Sequence, residues 1–276
     1  MEPGASRASG AVVTVHSGAG LVLSERSDPW SRSLPSAVVT TPAPAAETAS
    51  PSTHLVLVRH AVTAQTGPLL SGRTPGIDLS DEGRAQAEAL GLRMADLPVD
   101  VVYASPIERT TQTAEAIARH HDLSVRRLDG VLEADYGEWT GGKIADLAKT
   151  DLWKLVQRTP SRVTFPGGEA MATMQTRMVG ALEAVVADHP GQLVVVVSHA
   201  DPIKAAIAHF TGVHLDLFQR IVVSPASVTA FAFGHHGVVM IKCNDTGGLD
   251  DLKVPAPTPA KDAAEGGDGG EAGGDA

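Results

Sequence analysis

Residues 55–63 read LVLVRHAVT, so four branched apolar residues run directly into Arg59 and His60. A short apolar run bounded by polar residues is typical of a buried strand in a parallel sheet. In open α/β sheets, ligands bind just beyond the carboxyl ends of such strands. Residues 193–200 read LVVVVSHA and repeat this layout. We therefore expect His60 and His199 to lie at the same edge of one sheet, where a ligand would bind.

Strand-like and helix-like stretches alternate along the central part of the chain. Short runs rich in β-branched residues predict further strands at residues 99–103, 124–128, 227–233 and 238–243. Helical spacing and capping signals predict helices at residues 80–95, 105–120, 171–185 and 202–209. This alternation predicts an α/β fold, a three-layer α/β/α sandwich with a mostly parallel central sheet. The last two strands form a hairpin that adds antiparallel strands at one edge.

Two of the predicted helices carry apolar stripes that we expect to be buried. In the first, Ser80 is placed to be the N-cap, and Ala85, Ala89 and Leu92 share one face, of which Leu90 is a further candidate member. In the third, the spacing of three or four residues favours core packing over a cofactor site. That stripe consists of Met171, Met174, Met178, Leu182 and Val185.

Composition divides the 276-residue chain into three parts. Residues 1–52 and 250–276 hold few large apolar residues, so we expect a low-complexity N-terminal extension and an acidic Gly/Ala-rich tail, both disordered. Residues 53–249 are expected to form one domain. The formal net charge is −10, and the last 27 residues carry half of it with seven acids and two lysines. The rest of the chain is mildly acidic and lacks the basic footprint of nucleic-acid binding.

Cysteine content and hydropathy bear on the environment and partners of the protein. Cys243 is the one cysteine, which excludes an internal disulfide. The sequence contains no run of 18 apolar residues, so we expect no membrane span. The N-terminal residues lack the pattern of a signal peptide. We therefore expect a cytoplasmic protein that binds neither nucleic acid nor membrane. The sequence leaves the oligomeric state open, a homodimer included.

Three further motifs follow the first in chain order. Residues 105–114 read SPIERTTQTA, residues 132–141 read LEADYGEWTG, and residues 198–200 read SHA. With RHAVT at residues 59–63, they resemble the signatures of the histidine phosphatase superfamily, also called phosphoglycerate mutase-like. That family carries R-H-G-x-T, S-P-x-x-R-x-x-Q-T-A, an acid motif and S-H-G. Within it, SGRTPGIDLSDEG at residues 71–83 looks closest to actinobacterial proteins labelled probable phosphomutases.

The resemblance implies phosphoryl transfer through a phosphohistidine intermediate and suggests a role for each motif residue. His60 would be the nucleophile, since neutral imidazole attacks well at pH 7. Arg59 and Arg109 would bind the phosphoryl oxygens through bidentate, charge-assisted hydrogen bonds. His199 would donate to the developing charge, and Glu133 would protonate the departing alkoxide and later activate water. This arrangement needs no cofactor and no metal, and the sequence shows no Asp/His cluster with metal-ligand spacing.

Several other residues give less specific signals. Thr63 either donates a hydrogen bond to phosphate or caps the loop after the first strand. By resemblance, Ser71, Gly72 and Tyr136 occupy positions that shape the substrate pocket and contact the substrate. Three nearby carboxylates are alternatives to Glu133 as the acid: Asp135, Glu138 and Glu169.

The chain also departs from the family pattern. Ala61 and Ala200 replace the glycines that follow the two histidines, and alanine resists a positive φ. The asparagine that the mutases carry six positions after the nucleophile is Thr66 here. Their adjacent arginine pair is absent, because only Arg158 and Arg162 occur in that region and they stand apart.

These patterns lead to one leading hypothesis and two alternatives. The leading hypothesis is a metal-independent phosphatase that hydrolyses a small organic phosphomonoester through a phosphohistidine on His60. The first alternative is a phosphomutase of the phosphoglycerate mutase type. The second is a phosphate-binding or regulatory protein on the same fold, with activity lost through the alanine replacements.

Overall fold

A six-stranded sheet forms the centre of the computed structural model, which describes residues 52–248. The strands are β1 (Thr53–Arg59), β2 (Val101–Ala104), β3 (Val125–Arg127), β4 (Leu193–Ser198), β5 (Val228–Gly234) and β6 (Gly237–Asp245). Their order across the sheet is β3-β2-β4-β1-β5-β6. The first four strands run parallel, whereas β5 is antiparallel to β1 and β6 to β5. The mostly parallel sheet and its terminal hairpin are therefore confirmed, while the expectations for residues 1–51 and 249–276 lie outside the described residues.

In the described part of the chain, six α-helices connect and cover the strands. They are α1 (Asp81–Met94), α2 (Glu108–Ala118), α3 (Ile144–Leu147), α4 (Asp151–Arg158), α5 (Met171–Asp188) and α6 (Ala200–Phe210). Short 3-10 helices occupy Arg119–His121, Asp129–Val131, Gly137–Trp139, Pro160–Arg162 and Leu215–Arg220. Between residues 52 and 248, no helix has the length and apolar character needed to cross a membrane.

Both faces of the sheet are covered by helices, which explains why β1 is apolar throughout. Side chains alternate along a strand, so successive residues of β1 face opposite layers. Leu55 and Leu57 pack in one core cluster with Met178 of α5. Val56 and Val58 pack in a second cluster with residues of α1 and α2, among them Leu90. The predicted three-layer α/β/α sandwich is confirmed, and the methionine stripe of α5 is buried as expected.

The buried face of α1 differs from the predicted one. Ser80 caps the helix as expected, its Oγ accepting a hydrogen bond from the backbone N–H of Gly83 at 3.1 Å. However, Leu92 is 61% exposed, and Ala85 and Ala89 are exposed as well. Of the predicted residues Leu90 is buried, and it shares the buried face with Gly91. The reason is close packing between α1 and α2, since a Cβ on Gly91 would collide with the carbonyl oxygen of Ala116. The predicted stripe was chosen from apolar side chains. It therefore left out Gly91, whose contact with α2 depends on the absence of a side chain.

Candidate active site

The ends of neighbouring parallel strands bring the predicted residues together. In the β1–β4 pair, Arg59 lies opposite Ser198, and the backbone N–H of His60 donates to the Ser198 carbonyl at 3.0 Å. The imidazole rings of His60 and His199 are 5.4 Å apart between centroids. The expectation that both histidines share one edge of the sheet is confirmed. Arg109 reaches the same edge from the first turn of α2, which follows β2.

The backbone sets the tautomer of His60. Its Nδ1 lies 2.7 Å from the carbonyl oxygen of Ala61. A carbonyl only accepts hydrogen bonds, so Nδ1 carries the proton and Nε2 keeps its lone pair. Burial, reinforced by the positive charges of Arg109 and Arg59, holds the pKa of His60 well below its usual range. His60 is therefore a neutral imidazole with a free nucleophilic nitrogen at neutral pH.

Both ring nitrogens of His199 are occupied by protein groups. Arg109 Nη2 donates to Nδ1 at 3.1 Å, so the proton of the neutral ring is on Nε2. Nε2 in turn lies 2.9 Å from the Ser105 hydroxyl. Burial, followed by the charge of Arg109, holds the pKa of His199 well below its usual range. His199 is fully buried and does not line the cavity; in this arrangement it orients Arg109.

Two buried guanidinium nitrogens have no hydrogen-bond partner within residues 52–248. Arg59 Nη1 donates to the Val223 carbonyl and Arg109 Nη2 to the Gly72 carbonyl, both at 2.7 Å. Within the described residues, Arg59 Nε and Arg109 Nη1 are buried and form no hydrogen bond. An unpaired buried donor is costly, more so when it is charged. The site therefore contains two cationic donors that an anion would satisfy.

Glu133 faces this cationic pair as a buried acid. Its Oε1 accepts a hydrogen bond from the backbone N–H of Ala134 at 2.9 Å. Burial is the main cause that raises the pKa of Glu133 to about 7, and the charge of Asp201 adds to it. The two arginines act in the opposite direction. At neutral pH a substantial fraction of Glu133 is therefore protonated and able to donate a proton.

A cavity of about 350 Å³ opens over these groups. Its charged and polar lining consists of Arg59, His60, Arg109, Glu133, Thr66, Ser71, Tyr136, Gln157, Asp201, Lys204 and Gln219. Backbone at Gly67, Gly72 and Ala200 also lines it, and the remaining wall is apolar, formed by Leu69, Leu70, Trp139, Ile144, Trp153, Val156 and Phe165. A cavity that combines an apolar wall with convergent polar and charged groups is typical of a small-molecule site.

Thr63 is placed to close the loop after β1 and does not line the cavity. Its hydroxyl accepts from the backbone N–H of Gln65 at 3.2 Å and lies 3.1 Å from the hydroxyl of Thr66. Of the two expectations for Thr63, the geometry favours the cap. Ser71 and Gly72, in contrast, line the cavity together with Tyr136, where the family resemblance places them.

Among the four candidate acids, only Glu133 lines the cavity. Glu169 is instead held in ion pairs by Arg73 and Arg177, at 2.9 and 2.7 Å. Asp135 caps the turn at Gly137 through its Oδ1 at 3.1 Å. Glu169 and Asp135 therefore stabilise the loop that carries Glu133.

The two alanine replacements leave the backbone unstrained. Among non-glycine residues of the described chain, φ is positive only at Asp122, Ala226 and Asn244. Ala61 and Ala200 therefore have ordinary backbone conformations, and Ala200 is the first residue of α6. Neither position has a positive φ, so replacing glycine with alanine does not force the backbone of the site into another conformation.

Sequence reasoning missed Asp201 and Lys204. Tyr136 donates a hydrogen bond to Asp201 at 2.8 Å, and Lys204 lies 3.7 Å from the other carboxylate oxygen. Both residues follow His199 in the first turns of α6, so the histidine motif itself points to them. Within residues 52–248, no three His, Cys, Asp or Glu side chains form a group that could hold a metal ion.

Comparison with known proteins identifies the family. The family model described as the histidine phosphatase superfamily, branch 1, matches residues 55–246. The chain belongs to this superfamily. It is 35% identical over 208 residues to phosphoserine phosphatase 1 of Hydrogenobacter thermophilus, covering 73% of this chain and 97% of that protein. It is also 30% identical over 186 residues to an acid phosphatase of Mycobacterium tuberculosis, covering 66% of this chain and 87% of that one.

A solved structure shows the same fold. The phosphoserine phosphatase of Entamoeba histolytica, solved as a mutant with bound phosphoserine, superposes with a TM-score of 0.65. The match covers 71% of this chain and 98% of that one at 24% sequence identity. This likeness confirms the three-layer sandwich fold.

Proposed function

We propose that this superfamily member is a phosphomonoesterase that transfers the phosphoryl group of a small organic ester first to His60 and then to water. One observation carries the proposal. The neutral His60, which keeps the lone pair of its Nε2, lines the same cavity as Arg59 and Arg109, whose Nε and Nη1 are unpaired donors. A phosphoryl group would satisfy both donors while its phosphorus faces the nucleophile.

In the first step, the Nε2 lone pair of His60 attacks phosphorus and forms a P–N bond. The ester P–O bond breaks, and its electron pair leaves on the alkoxide oxygen. The two arginines stabilise the charge spread over the equatorial oxygens. Glu133 gives its proton to the departing oxygen, a role that its raised pKa allows at neutral pH.

In the second step, Glu133 is a carboxylate and takes a proton from water. The water oxygen attacks phosphorus, the P–N bond breaks, and inorganic phosphate leaves. His60 regains its neutral form and Glu133 regains its proton, so the cycle closes without another reagent.

Ser105 allows His199 to change its role during the reaction. A hydroxyl can donate or accept, so the Ser105–His199 hydrogen bond at 2.9 Å is compatible with either ring tautomer. If Arg109 shifts its Nη2 towards bound phosphate, the Nδ1–H tautomer of His199 can also donate to that charge. This retains His199 as an electrostatic stabiliser in addition to its hydrogen bond with Arg109.

Phosphoserine is the first natural ester to test. The Hydrogenobacter thermophilus relative is named a phosphoserine phosphatase. Lys204 and Asp201 at the cavity wall offer opposite charges to the carboxylate and ammonium of that ester. Neither Arg158 nor Arg162 lines the cavity, so the arginine pair of the mutases has no counterpart there.

The test of the proposed function is hydrolysis of p-nitrophenyl phosphate with EDTA present. We expect turnover by the wild type, and a loss on the order of 10³-fold or more in His60→Ala. Circular dichroism checks that the variant is folded. Equal turnover by folded wild type and variant would contradict the proposal, as would turnover that EDTA abolishes.

A further inference from the structure

An Arg–Glu–Arg cluster lies directly behind the acid loop. Glu169 Oε1 accepts from Arg73 Nη2 at 2.9 Å and from Arg177 Nη2 at 2.7 Å, and its Oε2 accepts from Arg177 Nε at 3.0 Å. Oε1 also accepts from the backbone N–H of Asp135 at 2.8 Å. Both oxygens of this carboxylate therefore accept hydrogen bonds that align two arginines and one loop residue.

Both arginines converge on a single atom of the acid. Arg73 Nε and Arg177 Nη2 donate to the backbone carbonyl oxygen of Glu133 at 2.8 and 2.9 Å. Arg177 also donates to the carbonyl of Gly130, at 3.0 Å, on the turn that precedes the acid. Charge-assisted hydrogen bonds from two directions fix the main chain from which the Glu133 carboxyl projects.

The cluster is also connected to the phosphate end of the cavity. Arg73 directly follows Gly72, whose carbonyl accepts from Arg109 Nη2 at 2.7 Å. Gly72, which contacts Arg109, and Arg73, which holds the Glu133 carbonyl, are thus joined by one peptide unit. The cluster itself does not line the cavity, so it can act only through the groups that it positions.

We propose that Arg73, Glu169 and Arg177 form a positioning network that fixes the Glu133 carboxyl at the leaving-group oxygen. The inference rests on the proposed function, because it assigns Glu133 the proton transfer described above. A general acid must lie within hydrogen-bond reach of its acceptor, and a shift of about 1 Å can cost about 10²-fold in rate. The network supplies this restraint to a residue that lies in a loop between 3-10 turns.

Glu169→Gln tests the network, because it keeps the shape of the side chain and removes the charge that aligns both arginines. The readout is kcat/KM for an alkyl phosphate and for p-nitrophenyl phosphate, since kcat/KM reports the steps up to departure of the leaving group. The alkoxide needs a proton and p-nitrophenolate does not. We expect a loss of about 10²-fold for the alkyl ester and less than about 5-fold for the aryl ester.

A double-mutant cycle separates positioning from general damage. If Glu169 acts through Glu133, the double variant Glu133→Gln/Glu169→Gln should match Glu133→Gln on the alkyl ester to within about two-fold. A loss in the double variant equal to the product of the two single losses would overturn the proposal. Equal losses of kcat/KM on both esters in Glu169→Gln would also overturn it. Val185→Ala is the control, because it loosens the core on the same helix as Arg177 and should leave the ratio of the two esters unchanged.

A second variant keeps the inference testable if Glu169→Gln does not fold. Arg73→Gln removes one of the two donors to the Glu133 carbonyl from a side chain that is already 31% exposed. We expect the same preference for the aryl ester, with a loss of about 10-fold on the alkyl ester. An unchanged ester ratio in this variant would overturn the network. If the wild type hydrolysed neither ester, the proposed function itself would be contradicted, so the two failures are distinguishable.

Discussion

At the residue scale, burial places His60 and Glu133 in complementary protonation states. Low polarity disfavours the charged form of each, so the pKa of the imidazole falls and the pKa of the carboxyl rises. The imidazole is then deprotonated and nucleophilic at the pH at which the carboxyl still carries its proton. One physical cause thus prepares both the nucleophile and the acid.

The pH dependence of kcat/KM follows from the protonation state of Glu133. The acid is lost as pH rises through about 7, so kcat/KM for an alkyl phosphate should fall about ten-fold per unit above that pH. The ratio of alkyl to p-nitrophenyl phosphate isolates this effect, because ionisation of the phosphate group affects both esters. Glu133→Gln should lower the ratio about 10²-fold and make it independent of pH. A ratio that stays constant across pH 6 to 9 in the wild type would remove Glu133 from the role.

The alanines that follow the histidines should be tolerated. Ala61 is fully buried and packs with Leu79, Ala87 and Ala116, and its backbone does not need a positive φ. Ala61→Gly should therefore lower the free energy of unfolding by about 1 kcal/mol, through the lost methyl group and the added chain entropy. The kcat/KM of this variant, and of Ala200→Gly, should stay within about three-fold of wild type. A gain of ten-fold or more in either variant would show that the alanine impairs the site.

At the element scale, the sequence predicted where strands end better than how helices pack. The end of β1 at Arg59 is encoded by a change from apolar to charged residues, and β4 repeats the pattern before His199. In the sheet these two strands are parallel neighbours, and Arg59 lies opposite Ser198. The predicted face of α1 was right at Leu90 and wrong at Leu92, because Gly91 contributes to packing through its lack of a side chain, which periodicity does not detect.

Gly91 makes the α1–α2 contact testable. Gly91→Ala places a methyl group against the carbonyl oxygen of Ala116, and this clash should outweigh the better helix propensity of alanine. We expect a loss of about 2 kcal/mol in the free energy of unfolding, measured by urea denaturation. Gly180 in α5 is the matched control, because a Cβ there meets no atom within 4 Å. Gly180→Ala should stabilise the protein by about 0.5–1 kcal/mol, and equal effects of the two substitutions would contradict the packing argument.

At the scale of the whole molecule, the acid that serves catalysis lowers stability. The pKa of Glu133 is about 7 in the folded protein against 4.5 for the ordinary carboxyl, so the folded state resists an ionisation that the unfolded state accepts. Compared with its value at high pH, the free energy of unfolding is therefore larger below pH 4.5, and this difference is lost as pH rises through about 7. Relative to wild type, Glu133→Gln should therefore be more stable by about 1 kcal/mol at pH 5 and about 3 kcal/mol at pH 8. Urea denaturation of both proteins at the two pH values measures this, and a difference that does not grow with pH would contradict the burial argument.

The extent of the domain and the long-range contacts differ in how far the sequence could predict them. We propose that the catalytic domain covers residues 53–249, as composition indicates and as the family match over residues 55–246 supports. The motif residues His60, Arg109 and Glu133 could be placed because each follows a predicted strand. The network around Glu169 could not, because Arg73 and Arg177 are separated by about a hundred residues and meet only in the folded chain.

The central claim is the phosphohistidine on His60, and trapping it tests the claim most directly. Glu133→Gln is suited to this, because p-nitrophenolate leaves without a proton while the water step lacks its base. The variant is mixed with p-nitrophenyl phosphate, denatured in alkali and digested, and the phosphorylated peptide is sequenced by mass spectrometry. We predict an acid-labile phosphate on His60, which is absent when His60→Ala is added to the variant. Phosphate on another residue, or p-nitrophenol release without any phosphorylated protein, would contradict the account.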